Sequence, residues 1–212
     1  MQQIILMADI INSRKQDSKI LMKNFKNIVA SVNKKFDKKI KSPLTITLGD
    51  EFQGVIKDVE ASLEILLYIE EKFIHDKYDF KLRYVILEGV IDTLINNKRA
   101  FEMLGQGLTD SREELNSLKD TNKRFHISLE NKVVTDILNN SFTVFQSIVN
   151  DWKIEKDYEI VSSFLVYSDY KKVSEAVNRN RSLIWKREKT LNITSYQAIK
   201  NIIYASTKLK GK

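Results

Sequence analysis

Residues 44–58, LTITLGDEFQGVIKD, decide the fold that this sequence predicts. The first five of them alternate apolar side chains with threonines, a pattern typical of a half-buried strand. Gly49 and Asp50 then mark a tight turn, and the apolar pattern resumes at Phe52. We therefore expect a β-hairpin that holds two neighbouring carboxylates, Asp50 and Glu51, at its tip.

The segments on either side of the hairpin predict an α+β fold. Asp9 ends an apolar run at residues 4–8 that is typical of a buried strand. Helices are expected at residues 20–36, 59–74 and 108–119, and further strands at residues 81–88 and 124–129. This order is that of a ferredoxin-like βαββαβ core, in which the first strand lies beside the hairpin. Asp9 is therefore expected close to Asp50.

Carboxylates that converge at one end of a sheet repel one another unless a cation lies between them. Mg²⁺ prefers oxygen ligands, and two such ions are the usual apparatus of phosphoryl transfer. We therefore predict that Asp9, Asp50 and Glu51 bind Mg²⁺ or Mn²⁺. The competing interpretation is structural: Gly-Asp is a common hairpin turn, and Asp9 would cap the helix that follows it.

The positive charge of the chain is concentrated near its C-terminus. The net charge is +7, but residues 170–212 carry 11 Lys and Arg against two Glu, so this segment is net +9 and the remainder is net −2. Such asymmetry favours a nucleic-acid-binding region, although a solvated Lys-rich surface gives the same composition. The absence of Cys excludes disulfides and thiolate metal sites. Without a signal-peptide pattern or a long apolar run, we expect a cytoplasmic protein with no membrane insertion.

The basic segment has the spacing of a helix-turn-helix. Ser174 supplies the small residue where two helices cross, Asn178 the turn, and Ile184 the buried anchor of the second helix. The residues predicted to bind double-stranded DNA are Arg179, Asn180, Arg181, Ser182, Trp185, Lys186 and Arg187. A helical hairpin that docks on the core or on a second subunit is the competing interpretation.

These patterns divide the chain into three parts. Residues 1–130 form the βαββαβ domain, residues 131–150 a connecting helix, and residues 151–212 a small all-helical domain. The chain contains only one Pro and six Gly, so we expect no flexible linker between these parts.

Two short motifs, ADIINSR at residues 8–14 and GDEFQG at residues 49–54, resemble the palm domain of class III nucleotide cyclases. The resemblance implies ATP or GTP as ligand, two metal ions and a homodimer. The residues expected to contact phosphates are Ile10, Asn12, Ser13, Arg83 and Arg112. The sequence departs from the cyclase pattern in two respects: Thr109 and Arg112 are three positions apart rather than four, and the base-selecting Lys and Asp have no clear counterpart.

Over nearly its whole length the chain resembles the SatD family. Besides the two motifs, the resemblance rests on the strand at residues 82–89, on GLTDSREEL at residues 107–115 and on the basic C-terminal helices. That family is associated with bacterial acid tolerance and secretion, which implies no defined biochemical activity.

Three functions fit these observations. The first is a DNA-binding transcription regulator whose palm-like domain senses a nucleotide or a metal ion. The second is a nucleotidyl cyclase or a related phosphoryl-transfer enzyme that uses two divalent metal ions. The third is an adaptor protein with an inert palm scaffold. Because the catalytic positions of cyclases are not clearly matched, the sequence leaves enzymatic activity open.

Overall fold

A computed structural model describes residues 2–13 and 17–209 of the chain. The strands of its single sheet are β1 (Gln2–Ile10), β2 (Ile40–Ile46), β3 (Glu51–Ile56), β4 (Leu82–Val90) and β5 (Phe125–Ser128). The helices are α1 (Ser18–Lys35), α2 (Val59–His75), α3 (Gln106–Ser117), α4 (Lys132–Asp151), α5 (Tyr158–Tyr167), α6 (Tyr170–Ala176), α7 (Arg181–Thr190) and α8 (Ile193–Ser206).

The strand order confirms the predicted α+β, ferredoxin-like core. The sheet runs β2-β3-β1-β4-β5, with β1 antiparallel to both β3 and β4. The fifth strand, β5, extends this core by pairing parallel to β4. Gly49 turns the chain between β2 and β3 with a φ of 84°, a conformation that glycine adopts without strain.

The central strand, β1, is buried on both faces. Ile4, Leu6 and Ala8 face a large core, whereas Ile5 and Met7 face a smaller one. A continuous apolar run is what two covered faces require, since no side of the strand meets water. Helices α1, α2 and α4 contribute to the large core, and α3 covers the smaller one.

Two glycines bring α3 close to the sheet. A Cβ added to Gly89 of β4 would lie 2.6 Å from the Cα of Gly107 in α3, so neither position has room for a side chain. The close contact fixes the first turn of α3 against β4. The other end of the helix then lies above the end of the sheet where Asp9 and Glu51 are found.

The C-terminal helices share their core with the sheet. Phe125 of β5 stacks on Phe142 of α4 with 4.8 Å between ring centroids, and Phe145 lies 5.4 Å from Tyr196 of α8. Trp152 also packs on Tyr196, with 5.1 Å between ring centroids. Within the described ranges, no helix combines the length and the apolar character needed to cross a bilayer.

A buried ion pair connects α2, β4 and β5. Arg124 and Glu70 are only 4% and 5% exposed, and the Arg124 guanidinium donates to the Glu70 carboxylate. Arg124 Nε also donates to the Leu82 carbonyl at 3.0 Å, and the Tyr84 hydroxyl donates to Glu70 at 2.8 Å. These hydrogen bonds satisfy the two buried charges, and the loss of either partner would leave the other charge uncompensated.

We expect the variant Arg124→Met to lose about 3–5 kcal/mol of unfolding free energy, because it leaves the Glu70 carboxylate buried and unpaired. The measurement is urea unfolding at neutral pH. The matched control is Arg99→Met, which removes an ion pair to Glu102 between side chains that are 55% and 61% exposed. The control should lose about 0–1 kcal/mol. Equal losses in the two variants would contradict the structural role of the buried pair.

Candidate functional site

Asp9 and Glu51 lie directly opposite each other on β1 and β3. Both are buried, with 3% and 7% of their surface exposed. Side chains alternate between the two faces of a strand, so both carboxylates lie on the face of Met7 and Val55, beneath α3. The cross-strand neighbour of Asp9 is therefore Glu51, whereas Asp50 lies in the adjoining turn.

Three cationic side chains neutralise these two carboxylates. Arg83, which pairs with Asp9 across β1 and β4, places Nη1 at 3.3 Å and 3.0 Å from the two Asp9 oxygens. Arg112 of α3 donates from Nη1 to Glu51 Oε2 at 2.8 Å. Lys119 Nζ lies 3.7 Å from Asp9 and 3.9 Å from Glu51. These five residues, which we call the sheet-end cluster, carry one more positive charge than negative charge.

The electrostatics of the cluster raise the pKa of Asp9 above its usual value of 3.8. Burial is the largest cause, because desolvation disfavours the charged carboxylate. The Arg83 and Lys119 cations lower the pKa, while the neighbouring Glu51 carboxylate raises it further. The cationic partners thus offset only part of the cost of burying the Asp9 charge.

The predicted phosphate-contacting residues are divided between different environments. Arg83 and Arg112 both join the sheet-end cluster. Ile10 is buried in the large core, and its backbone N–H donates to the Asp50 carbonyl at 2.9 Å. Ser13 Oγ donates to the Asp50 carboxylate at 2.6 Å, and Asn12, at a φ of 57°, lines a cavity next to the C-terminal helices.

The predicted metal ligands do not fit a divalent cation in this arrangement. Asp9 and Glu51 are already neutralised by three cations, and the Asp50 carboxylate is bonded to Ser13. Across residues 2–13 and 17–209, no group of three or more acidic or histidine side chains is placed to hold a metal ion. The competing role of Asp9 as the cap of the following helix is wrong, since α1 is capped by Asp17, whose Oδ1 accepts from two backbone N–H groups at its first turn.

The predicted DNA-contacting residues lie on α7 and in the turn before it. Asn178 adopts a φ of 49° in the turn, while Ser174 and Ile184 are buried between the helices. Asn180 caps α7 by accepting from Ser182, through its backbone N–H at 2.8 Å and its hydroxyl at 2.7 Å. The helix-turn-helix and the DNA contacts themselves stay predictions.

The basic side chains of this segment differ in their surroundings. Arg179 and Arg181 are exposed and paired with Glu159 and Glu175 at 2.8 Å and 2.7 Å. Arg187 binds the buried carboxylate of Asp157 and is largely covered, which is a structural contact within the helical part. The other members of the predicted set are also exposed: Trp185, which is 47% exposed, Lys186, Asn180 and Ser182.

Sequence reasoning missed Lys119 and the pairing of Asp9 with Glu51. Alternation with the apolar Phe52 predicts only that Glu51 faces the other side of the sheet, whereas its pairing with Asp9 depends on the strand register. Lys119 carries no such signal, since it follows α3 in a short 3₁₀ helix and reaches the cluster only through the packing of α3.

The family model described as the SatD family matches residues 3–206. Comparison with curated proteins finds no significant match. Among solved structures, a bacterial light-regulated adenylyl cyclase shares 14% identity over 59% of this chain and 74% of that chain, with a TM-score of 0.45. The guanylate cyclase domain of RhGC from Catenaria anguillulae in complex with GTP shares 15% identity over 59% of this chain and 77% of that chain, with a TM-score of 0.42.

We expect the stability of the wild-type protein, measured relative to Asp9→Asn, to fall as the pH rises above 3.8, the usual pKa of an aspartate carboxyl. The folded protein holds the Asp9 proton to a higher pH than the unfolded chain does, because burial raises the folded pKa. The stabilising contribution of protonated Asp9 is therefore complete below the unfolded pKa and is lost as the pH rises through the folded one. Urea unfolding of both proteins at several pH values measures the difference, and a pH-independent difference would contradict the shift.

Proposed function

This chain belongs to the SatD family, and we propose that its palm (β1–β5 with α1–α3) binds a nucleoside triphosphate, ATP or GTP, at the sheet-end cluster. The observation that carries the proposal is the excess of positive charge: three cationic side chains surround two carboxylates. A polyphosphate supplies the negative charge that would balance this excess.

Arg112 and Lys119 are the residues best suited to contact the phosphates. Their side chains are 35% and 41% exposed, whereas Arg83 is only 13% exposed and is held by Asp9. A guanidinium has five N–H donors, so Arg112 can keep its bond to Glu51 and still donate to a phosphate oxygen. Arg83 would then fix the position of Asp9 rather than bind the ligand.

We propose binding without phosphoryl transfer, so that the palm acts as a sensor. Two-metal catalysis needs carboxylates free to hold two divalent ions. In the sheet-end cluster those carboxylates are engaged by Arg and Lys side chains instead. A cyclase remains the alternative function, and the nucleotide experiment below distinguishes it by its product.

A second proposed function is binding of duplex DNA by α6 and α7, which would make the protein a regulator of transcription. The observation that favours it is the group of exposed cationic side chains, Arg179, Arg181 and Lys186, that follows the positive-φ turn at Asn178. Helix-turn-helix proteins commonly bind DNA as dimers, which agrees with the homodimer predicted from the sequence. Arg187 is not included among the proposed contacts, because it pairs with Asp157.

We expect ATP or GTP to raise the melting temperature of the wild-type protein without added divalent cation. The variants Arg112→Gln and Lys119→Gln should each bind about tenfold more weakly, because each loses a charge-assisted contact worth about 1.5 kcal/mol. Arg99→Gln is the control, since it removes an equally charged but remote exposed side chain. Thermal shift and calorimetric titration measure both effects.

Three outcomes would contradict this nucleotide proposal. An unchanged melting temperature with both ATP and GTP would show that the protein does not bind these nucleotides. A shift that requires Mn²⁺ and disappears in Asp9→Asn/Asp50→Asn would assign the carboxylates to a metal ion. Conversion of the triphosphate to a cyclic product during long incubation would establish the cyclase alternative instead of a sensor.

We expect the protein to retard duplex DNA in a gel, with an affinity that falls steeply between about 50 and 200 mM salt. The triple variant Arg179→Gln/Arg181→Gln/Lys186→Gln should reduce the slope of log affinity against log salt by about three, since each phosphate contact contributes about 0.9. The control, Lys23→Gln/Lys26→Gln/Lys34→Gln on α1, removes the same charge from another exposed surface. Equal slopes for the wild type and the α7 variant would exclude this surface as the DNA site.

A further inference from the structure

We propose a second ligand site, the junction cavity, that binds a small organic anion carrying a planar ring. The cavity has a volume of about 410 Å³ and is lined by the β1–α1 turn, the α2–β4 connection and the α4–α5 connection. A volume of this size is within the range of small-molecule sites in proteins. The site shares no residue with the sheet-end cluster and does not depend on nucleotide binding there.

Lys81 supplies the charge that selects an anion. Its ammonium is partly buried at the cavity wall and donates to Asn150 Oδ1 at 2.8 Å. In the part of the chain that the structure describes, Lys81 has no carboxylate partner, although a buried ammonium normally has one. Burial is the largest cause of a lowered pKa for Lys81, the positive charges of Arg124 and Lys153 lower it further, and the more distant carboxylates of Glu70 and Asp151 raise it only in part. A bound anion would supply the missing counter-charge.

Aromatic side chains supply the surface for a ring. Tyr78, Phe80, Trp152 and Tyr158 all line the cavity, and Tyr78 stacks on Phe80 with 5.8 Å between centroids. Planar ligands gain from such surfaces through stacking and through the burial of apolar area. The combination of aromatic walls with one inner ammonium therefore favours an aromatic acid over an inorganic anion.

The acidic groups near the cavity lie toward solvent. Asp79 and Glu155 line it and are exposed, and the exposed Lys153 offsets part of their charge. Asp151 acts on Lys81 from the end of α4. Behind Lys81, the Arg124–Glu70 ion pair is neutral as a unit. The inner end of the cavity therefore remains cationic, and the ligand is expected to place its anionic group there.

The β1–α1 turn, which lines the cavity, is also hydrogen-bonded to Asp50. Asn12 lines the cavity, the backbone N–H of Ile11 donates to the Lys81 carbonyl at 2.9 Å, and Ser13 bonds to Asp50. A ligand in the cavity would therefore touch both the palm and the connection between α4 and α5. Its binding should stabilise the packing of these two parts against each other.

The experiment uses 2-aminobenzoate, a fluorescent aromatic anion, and its uncharged counterpart 2-aminobenzamide. In a Trp185→Phe background, Trp152 is the remaining tryptophan of the two in the chain, and it lies in the cavity wall. We expect saturable energy transfer from Trp152 to 2-aminobenzoate. Binding should be about tenfold weaker for 2-aminobenzamide and for Lys81→Gln, which each lack one charge of the proposed contact.

Lys153→Gln is the second variant, and it should weaken 2-aminobenzoate binding severalfold without a risk to folding, since Lys153 is exposed. Lys38→Gln, on the exposed surface of the palm, is the charge-matched control and should bind as the wild type does. Arg112→Gln should also leave this binding unchanged, which separates the junction cavity from the nucleotide proposal. The inference would be overturned if 2-aminobenzoate gave no energy transfer, or if Lys81→Gln bound it as tightly as the wild type does. It would also be overturned if 2-aminobenzamide bound as tightly as 2-aminobenzoate.

Discussion

The structure depends on how a buried carboxylate at the end of the central strand is neutralised. Asp9 lies one residue before the end of β1, which is covered on both faces, so its charge cannot be solvated freely. Arg83 on the neighbouring strand and Lys119 after α3 both approach it, and Lys119 also lies near Glu51, whose hydrogen-bond partner is Arg112. The position of α3, fixed by its close glycine contact with β4, is therefore also what completes the cluster.

The same constraint shapes the proposed function. Carboxylates with Arg and Lys partners form a site for an anion, whereas carboxylates without such partners would form a site for metal ions. The acidic hairpin and the Arg residues, taken separately in the sequence, indicate a metal site and phosphate contacts. Their pairing in the structure favours an anion site instead. The excess positive charge is the property that a phosphate-bearing ligand would use.

The palm and the C-terminal helices share one continuous core, which bears on how a bound ligand could influence the helices. Tyr196 of α8 packs on Phe145 and Trp152, and its hydroxyl donates to Glu71 of α2 at 3.1 Å. The junction cavity lies beside this contact, with Trp152 in its wall. Packing of this kind transmits a displacement more directly than a flexible linker does.

The sequence by itself determined the order of strands and helices, because periods of two and 3.6 residues are local properties of the chain. It also located the carboxylates and the turn at Asn178, since glycine, asparagine and aspartate have specific backbone preferences. Only the tertiary structure decided that Glu51 faces Asp9, that Lys119 reaches both, and that Arg187 is paired with Asp157. Those pairings depend on strand register and helix packing, which join residues far apart in the sequence and leave no local pattern.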